Sequence, residues 1–282
     1  MLTPLSPLWP RLQSYLLACH LHRPVDLLLL LLPVLWTLSF ATAPYRYSDV
    51  TALLLAAVLA RCAAWLYHDL LDAPLRQETA PTPCLARREA RLLLGALFTL
   101  CILSLLAIGV DALFWGLPAL TLLLGYPHIK RRTLLTEPYL ALCLAWVVVV
   151  AQLASPGISG KVLWLLFTAT LLWSTATTLL YSLSRRNTGE QEGVGSLLYL
   201  FGENTGKITL ALQIFAILTL WLTGRQATLG LPFGLGLLTA LALAGHQQWL
   251  LAHHPVGGAA LAYRHNILFG LAILIGLSAE RF

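Results

Sequence analysis

Arg61-Cys62-Ala63-Ala64-Trp65-Leu66-Tyr67-His68-Asp69-Leu70-Leu71-Asp72-Ala73-Pro74-Leu75-Arg76 is the stretch of this 282-residue chain around which the rest can be read. It closes an apolar run with His68, Asp69 and Asp72 and then breaks at Pro74. Carboxylates three residues apart share a helix face, and at the mouth of a membrane helix they can hold a Mg²⁺ ion. Acids so close to lipid are costly and mark functional sites by default. Arg76 lies one turn beyond Asp72, so a self-neutralising pair is the competing use of that acid.

Outward from this segment the chain is dominated by apolar runs. Hydrophobic residues make up 58% and charged residues 11%, which excludes an ordinary soluble domain. The mean hydropathy of +0.77 agrees. Runs long enough to cross a bilayer recur, so the expected class is a polytopic, all-α membrane protein. Hydropathy places about nine spans, near Val25–Thr42, Val50–Tyr67, Leu92–Gly109, Ala112–Tyr126, Tyr139–Ala154, Val162–Leu183, Ile208–Thr223, Leu229–Leu251 and Ala260–Ser278. The fourth, interrupted by Pro118, has the weakest pattern. A single domain over residues 1–282 is expected, with residues 1–24 as an N-terminal segment and no cleaved signal peptide. Five scattered cysteines without CxxC spacing argue for packing rather than for zinc or disulfides.

Basic residues orient the map. Arg11, Arg23, Arg76, Arg87, Arg88, Arg91, Lys130, Arg131, Arg132, Arg185, Arg186, Lys207 and Arg264 fall on one side, against Arg46, Lys161, Arg225 and Arg281 on the other. The richer side, with the N-terminus, is expected to be cytoplasmic, in a bacterial inner membrane. The polar loops Asp69–Arg91, Pro127–Glu137, Arg185–Lys207 and His253–Gly258 share that side, where such a protein would meet water-soluble or amphiphilic ligands. Topology accounts for most of the net charge of +6, so no nucleic-acid partner is expected.

In order along the chain come His22-Arg23-Pro24-Val25-Asp26, Pro33-Val34-Leu35-Trp36, Arg61-Cys62-Ala63-Ala64 before His-Asp-Leu-Leu-Asp, and Tyr126-Pro127-His128-Ile129-Lys130-Arg131. Gly193-Val194-Gly195-Ser196, Leu200-Phe201-Gly202, His246-Gln247-Gln248 and Arg264-His265-Asn266 follow. Together, over nearly the whole chain, these landmarks resemble the UbiA superfamily of intramembrane prenyltransferases, particularly the 4-hydroxybenzoate polyprenyltransferase branch. The resemblance implies a bundle of nine helices around a central cavity. It also implies transfer of a polyprenyl group from a polyprenyl diphosphate to a small aromatic acceptor. Two Asp-rich motifs, after the second and sixth helices, would hold Mg²⁺ ions against the diphosphate. Departing diphosphate is multiply anionic while the allylic carbon becomes cationic, so metal ions and basic side chains suit the leaving group.

The sequence departs from that pattern at the motifs themselves. The first usually reads Asn-Asp-x-x-Asp-x-x-x-Asp; here His68 takes the Asn position, Asp69 and Asp72 keep two acids, and Arg76 takes the third. In the second, Arg185, Thr188 and Gly189 stand where the family has Asp, and Thr178 replaces another acid. Glu190 and Glu192 are the nearby replacements, with Glu190 a candidate metal ligand, although a spacing of two does not put them on one helix face.

The candidate site follows: Asp69 and Asp72 as catalytic and metal-holding acids, and Arg61, Lys130, Arg131 and Arg185 on the diphosphate. Arginine binds phosphate bidentately without a metal, so Arg185 and Arg186 either exchange metal for guanidinium or only set topology. His68, Tyr126 and Tyr181 are candidate cavity walls. For His68 the alternatives are a proton shuttle, a metal ligand or an interfacial helix end; for the tyrosines, carbocation stabilisers or membrane anchors. Three functions are weighed: an active prenyltransferase with a diverged metal site, an inactive paralogue binding a prenyl lipid or partner enzyme, and a transporter. The last lacks an inverted repeat or a path of buried ionisable residues.

Overall fold

The structure is a computed structural model that describes residues 8–72, 85–187 and 196–280. Its elements are α1 (Leu8–Ala18), α2 (Pro24–Ser39), α3 (Tyr47–Asp72), α4 (Arg87–Ile108), α5 (Val110–Lys130), α6 (Thr136–Ala151), α7 (Gly160–Asn187), the single turn α8 (Leu198–Phe201), α9 (Thr205–Gln226), α10 (Leu231–His253) and α11 (Gly258–Ala279). Among the described residues, nine long helices, α2–α7 and α9–α11, overlap the nine expected spans one for one. Seven meet the length and hydropathy needed to cross a bilayer on their own. Of the other two, α2 has only 16 residues, and α10 carries the polar His246-Gln247-Gln248. The span interrupted by Pro118 is one continuous helix, α5, with Pro118 and Pro127 both inside it. Membrane helices tolerate such breaks because neighbouring groups re-satisfy the freed backbone.

Pro24 opens α2, where its fixed φ suits the first helical turn and its missing N–H costs nothing. Up-and-down threading then gathers the starts of α2, α4, α6, α9 and α11 at one end of the bundle, with the finishes of α3, α5, α7 and α10. At the other end, the backbone N–H groups of Thr42 and Ala43 donate to Pro156 O, tying the α2–α3 loop to the α6–α7 turn. Gly157 there has φ +86°, and a Cβ on it would collide with Thr42 Oγ1, so both conformation and space demand glycine.

The core joins α2, α7 and α11. Trp36 packs on Trp173 with ring centroids 5.0 Å apart, and Trp173 stacks on Phe269 at 6.2 Å. The Trp36 indole N–H donates to Gly270 O at 3.0 Å, giving this buried polar atom the partner it needs. A polar clamp joins α9, α10 and α11: fully buried Gln213 donates through Nε2 to Gln247 Oε1 at 2.7 Å and to Asn266 Oδ1 at 3.3 Å. In lipid, small residues and such polar contacts, rather than hydrophobicity, bring helices together.

The α10–α11 crossing is the closest of these approaches. A Cβ on Gly236 would lie 2.7 Å from Ala272 O and 3.2 Å from Gly276 Cα. Gly236→Val is therefore expected to destabilise the protein by about 3 kcal/mol or more, read as a lowered Tm in detergent. Gly245→Ala on the same helix, where a Cβ meets nothing within 4 Å, should raise stability slightly.

Candidate active site inside the bundle

A cavity of about 540 Å³ opens between α2, α3, α4, α5, α6, α7 and α11, at the end where the polar loops gather. Its walls change character along their length. Leu53, Ala56, Leu105, Leu120, Val147 and Val150 make an apolar compartment, while Arg23, Arg61, Lys130 and Arg185 face Asp26, Asp69 and Asp72 at the polar end. Among the described lining residues the permanent cations outnumber the carboxylates, so an anionic head with an apolar tail matches the cavity in both charge and polarity.

Asp69 and Asp72 lie in the final turn of α3 and both line the cavity, as their spacing requires. Each acid has a partner from elsewhere in the chain. Asp69 Oδ2 is 3.1 Å from His20 Nε2, and Asp72 Oδ1 accepts from Arg131 Nη2 at 2.6 Å. His20 is itself held by Trp65, whose ring stacks on it at 4.6 Å. The neighbouring His22, in the turn between α1 and α2, is shifted below the ordinary histidine pKa by burial and then by His20, Arg23 and Arg61. The shift favours its neutral form.

Arg61, in the middle of α3, is 8% exposed. Its Nη2 is 3.6 Å from Asp26 Oδ2 and donates to His20 O at 3.5 Å, while Nη1 has no hydrogen-bond partner. Tyr263 of α11 donates to the other carboxylate oxygen of Asp26 at 2.6 Å. Lys130 and Arg185 line the same polar end, and the Arg185 guanidinium lies 5.9 Å from the Tyr181 ring centre. His68, Tyr126 and Tyr181 also face the cavity. The His68 and Tyr126 rings are 5.1 Å apart, Tyr181 and Tyr263 are 5.3 Å apart, and His68 Nε2 lies 3.3 Å from Leu123 O. Thr178 spends its hydroxyl on backbone carbonyls of Glu137, Ser174 and Thr175.

The cavity thus brings together Asp69, Asp72, Arg61, Lys130, Arg185, His68, Tyr126 and Tyr181. Arg131 reaches the site by pairing with Asp72 and is not among the lining residues. Arg76, Thr188, Gly189, Glu190 and Glu192 lie outside the described residues. Sequence reasoning missed His20, Asp26, Tyr263 and Glu137. Asp26 stood in view within His22-Arg23-Pro24-Val25-Asp26, a charge at the start of an apolar run, and that was the signal for it.

Glu137 organises the chain re-entering the bundle after α7. Its carboxylate, on a residue 2% exposed, accepts from Ser196 Oγ and from the Leu197 N–H, and Ser196 Oγ in turn accepts from the Leu198 N–H. Glu137→Ala leaves buried donors without an acceptor and should cost about 3 kcal/mol. A Tm in detergent lowered by several degrees, with Glu137→Gln in between, is the expected result.

Mg²⁺ takes one or two carboxylates and completes its shell with phosphate oxygens and water. Asp69 and Asp72, on one helix face at the polar end, fit one such ion shared with a phosphate. Among the described residues no group of three or more His, Cys, Asp or Glu side chains gathers to cage a metal unaided.

An all-helical membrane bundle whose cavity carries charged side chains at one end and apolar ones along its length defines a class: an integral membrane protein with a cavity inside its helix bundle. The sequence profile of the UbiA prenyltransferase family matches residues 30–273, and the chain belongs to that family. It is 33% identical over 279 residues to a 4-hydroxybenzoate octaprenyltransferase of Nitrosococcus oceani, covering 95% of this chain and 97% of the relative. It is 28% identical to the enzyme of that name from Saccharophagus degradans, covering 99% and 96%. The fold matches a UbiA homologue from Aeropyrum pernix with TM-score 0.73 and 21% identity, over 92% of this chain and 99% of that one. A UbiA homologue from Archaeoglobus fulgidus, bound to GPP and Mg²⁺, matches with TM-score 0.72 and 15% identity, over 95% and 100%.

Proposed function

We propose that this protein transfers a polyprenyl group from a polyprenyl diphosphate to a small aromatic acceptor of the 4-hydroxybenzoate kind, with a reduced metal site. The observation that carries the reading is the cavity's polarity, basic at one end and apolar along its length, on a chain whose family is established. Relatives named 4-hydroxybenzoate octaprenyltransferase supply the donor and acceptor classes.

In the reaction the allylic C–O bond breaks, diphosphate departs with the bonding pair, an acceptor ring carbon bonds the allylic carbon, and a ring proton is lost. Arg61, Lys130 and Arg185 hold the departing anion, because guanidinium and ammonium groups in a water-poor cavity stabilise charge without reorganising. Arg131 keeps Asp72 in place. The faces of Tyr126 and Tyr181 attract the cationic carbon, and the apolar wall houses the prenyl chain and excludes the water that would quench it. Asp69 and Asp72 would hold Mg²⁺, which when bound offsets diphosphate charge; Glu190 is the candidate for a second ligand set. The N-terminus and polar loops face the cytoplasm in a bacterial inner membrane, where both substrates arrive.

Binding of a long-chain prenyl diphosphate to the purified protein in detergent, with and without Mg²⁺, tests this directly. Mg²⁺-enhanced binding followed by prenylation of 4-hydroxybenzoate is the expected outcome. Binding without transfer to any aromatic acid would favour an inactive paralogue that holds a prenyl lipid or assists a partner enzyme. That second reading has its own support: both acids of the first motif are already paired with His20 and Arg131.

A further inference from the structure

We infer that Asp26 is a positioning residue that aims the unpartnered edge of Arg61 into the cavity, so that Arg61 meets an oxyanion of the substrate through Nη1. The inference rests on the prenyl-transfer reading above and assigns a task to a residue outside the Asp-rich motifs.

The geometry divides the two oxygens of Asp26 between two tasks. Oδ1 accepts from Tyr263 on α11 at 2.6 Å, and Oδ2 faces Arg61 Nη2 on α3 at 3.6 Å. One carboxylate at the start of α2 therefore connects α2, α3 and α11 at the polar end of the cavity. Arg61 Nη2 also donates to His20 O at 3.5 Å, so the same nitrogen is held by both an ion pair and a hydrogen bond. Nη1 is buried without a partner, on a side chain only 8% exposed, in a residue that lines the cavity. A buried guanidinium N–H left unmade is expensive, and a ligand oxygen arriving in the cavity would satisfy it. A planar fork pinned along one edge is preorganised along the other, so less ordering entropy is lost when an anion binds.

Asp26 also subtracts positive charge from the site, and the two effects oppose each other. If attenuation were its main effect, neutralising it would tighten anion binding. If positioning dominates, neutralising it weakens binding, because the freed guanidinium must be ordered by the ligand itself. The sign of the change decides between them.

The test measures affinity of the full-length protein in detergent for farnesyl diphosphate and, separately, for 4-hydroxybenzoate. Wild type is compared with Asp26→Ala, Asp26→Asn, Arg61→Gln and Asp26→Ala combined with Arg61→Gln. Asp26→Ala should weaken by about tenfold the binding of whichever ligand Arg61 contacts, and the two arms separate a diphosphate from a carboxylate as the source of the oxyanion. Asp26→Asn, which keeps an acceptor oxygen, should lose less. In the Arg61→Gln background, Asp26→Ala should add nothing, since a residue acting through Arg61 has no further effect once Arg61 is gone. Tyr263→Phe should reproduce part of the Asp26→Ala loss. Unchanged or tighter binding in Asp26→Ala, or additive losses in the double variant, would overturn the inference while leaving the prenyl-transfer reading intact. A wild-type protein that binds neither ligand would overturn that reading and the inference with it.

Discussion

Asp69→Asn is expected to abolish prenyl transfer, with kcat/KM lowered by a factor on the order of 10³ or more. The substitution keeps the shape of the side chain and an acceptor for His20 Nε2, now 3.1 Å away, so folding should be spared. What is lost is the charge that would attract a divalent cation to the diphosphate. Asp72→Asn should follow the same direction, with the added loss of the negative charge that Arg131 faces at 2.6 Å. Steady-state rates across a Mg²⁺ titration check both. An Asp69→Asn protein that kept more than about a tenth of wild-type turnover would remove the first motif from the mechanism, and guanidinium–phosphate contacts would have to carry the chemistry alone.

Arg61→Ala should be the most damaging single change at the site, because it strikes folding and binding together. Arg61 is buried opposite Asp26, and removing it leaves that carboxylate with Tyr263 as its remaining partner among the described contacts. Breaking a buried pair by deleting one member costs roughly 3–5 kcal/mol, visible as a large fall in Tm. Diphosphate affinity should fall by about 100-fold, as a charge-assisted bond in a water-poor cavity is lost. Arg61→Lys separates the two effects: a point charge restores part of the pairing with Asp26 but cannot address Asp26 and a ligand along opposite edges. The expected pattern is recovered Tm with binding still weakened. Full recovery of binding in Arg61→Lys would mean that charge alone matters there.

The helices were legible because each is written locally. Each of the nine apolar runs is a long helix among the described residues, and even α5, whose pattern Pro118 disturbs, is one piece because the bundle re-satisfies what proline removes. Asp69 and Asp72 were legible for the same reason, since a spacing of three on a helix is a statement about one face. α1 was not, because residues 1–24 offered no span-length run, and yet the segment after α1 delivers His20 to Asp69.

What the chain determined by itself is its membrane class, the order of its spans, and the end of the bundle where charge collects; hydropathy and helical periodicity act over neighbours a few residues apart. What only the tertiary structure decided is who partners whom at that end. His20 and Asp69 are 49 residues apart, Asp72 and Arg131 59, and Asp26 and Tyr263 237. Such pairs leave no periodic trace, because they arise where separate helices converge. In a low-dielectric cavity each charge must find its partner across that gap.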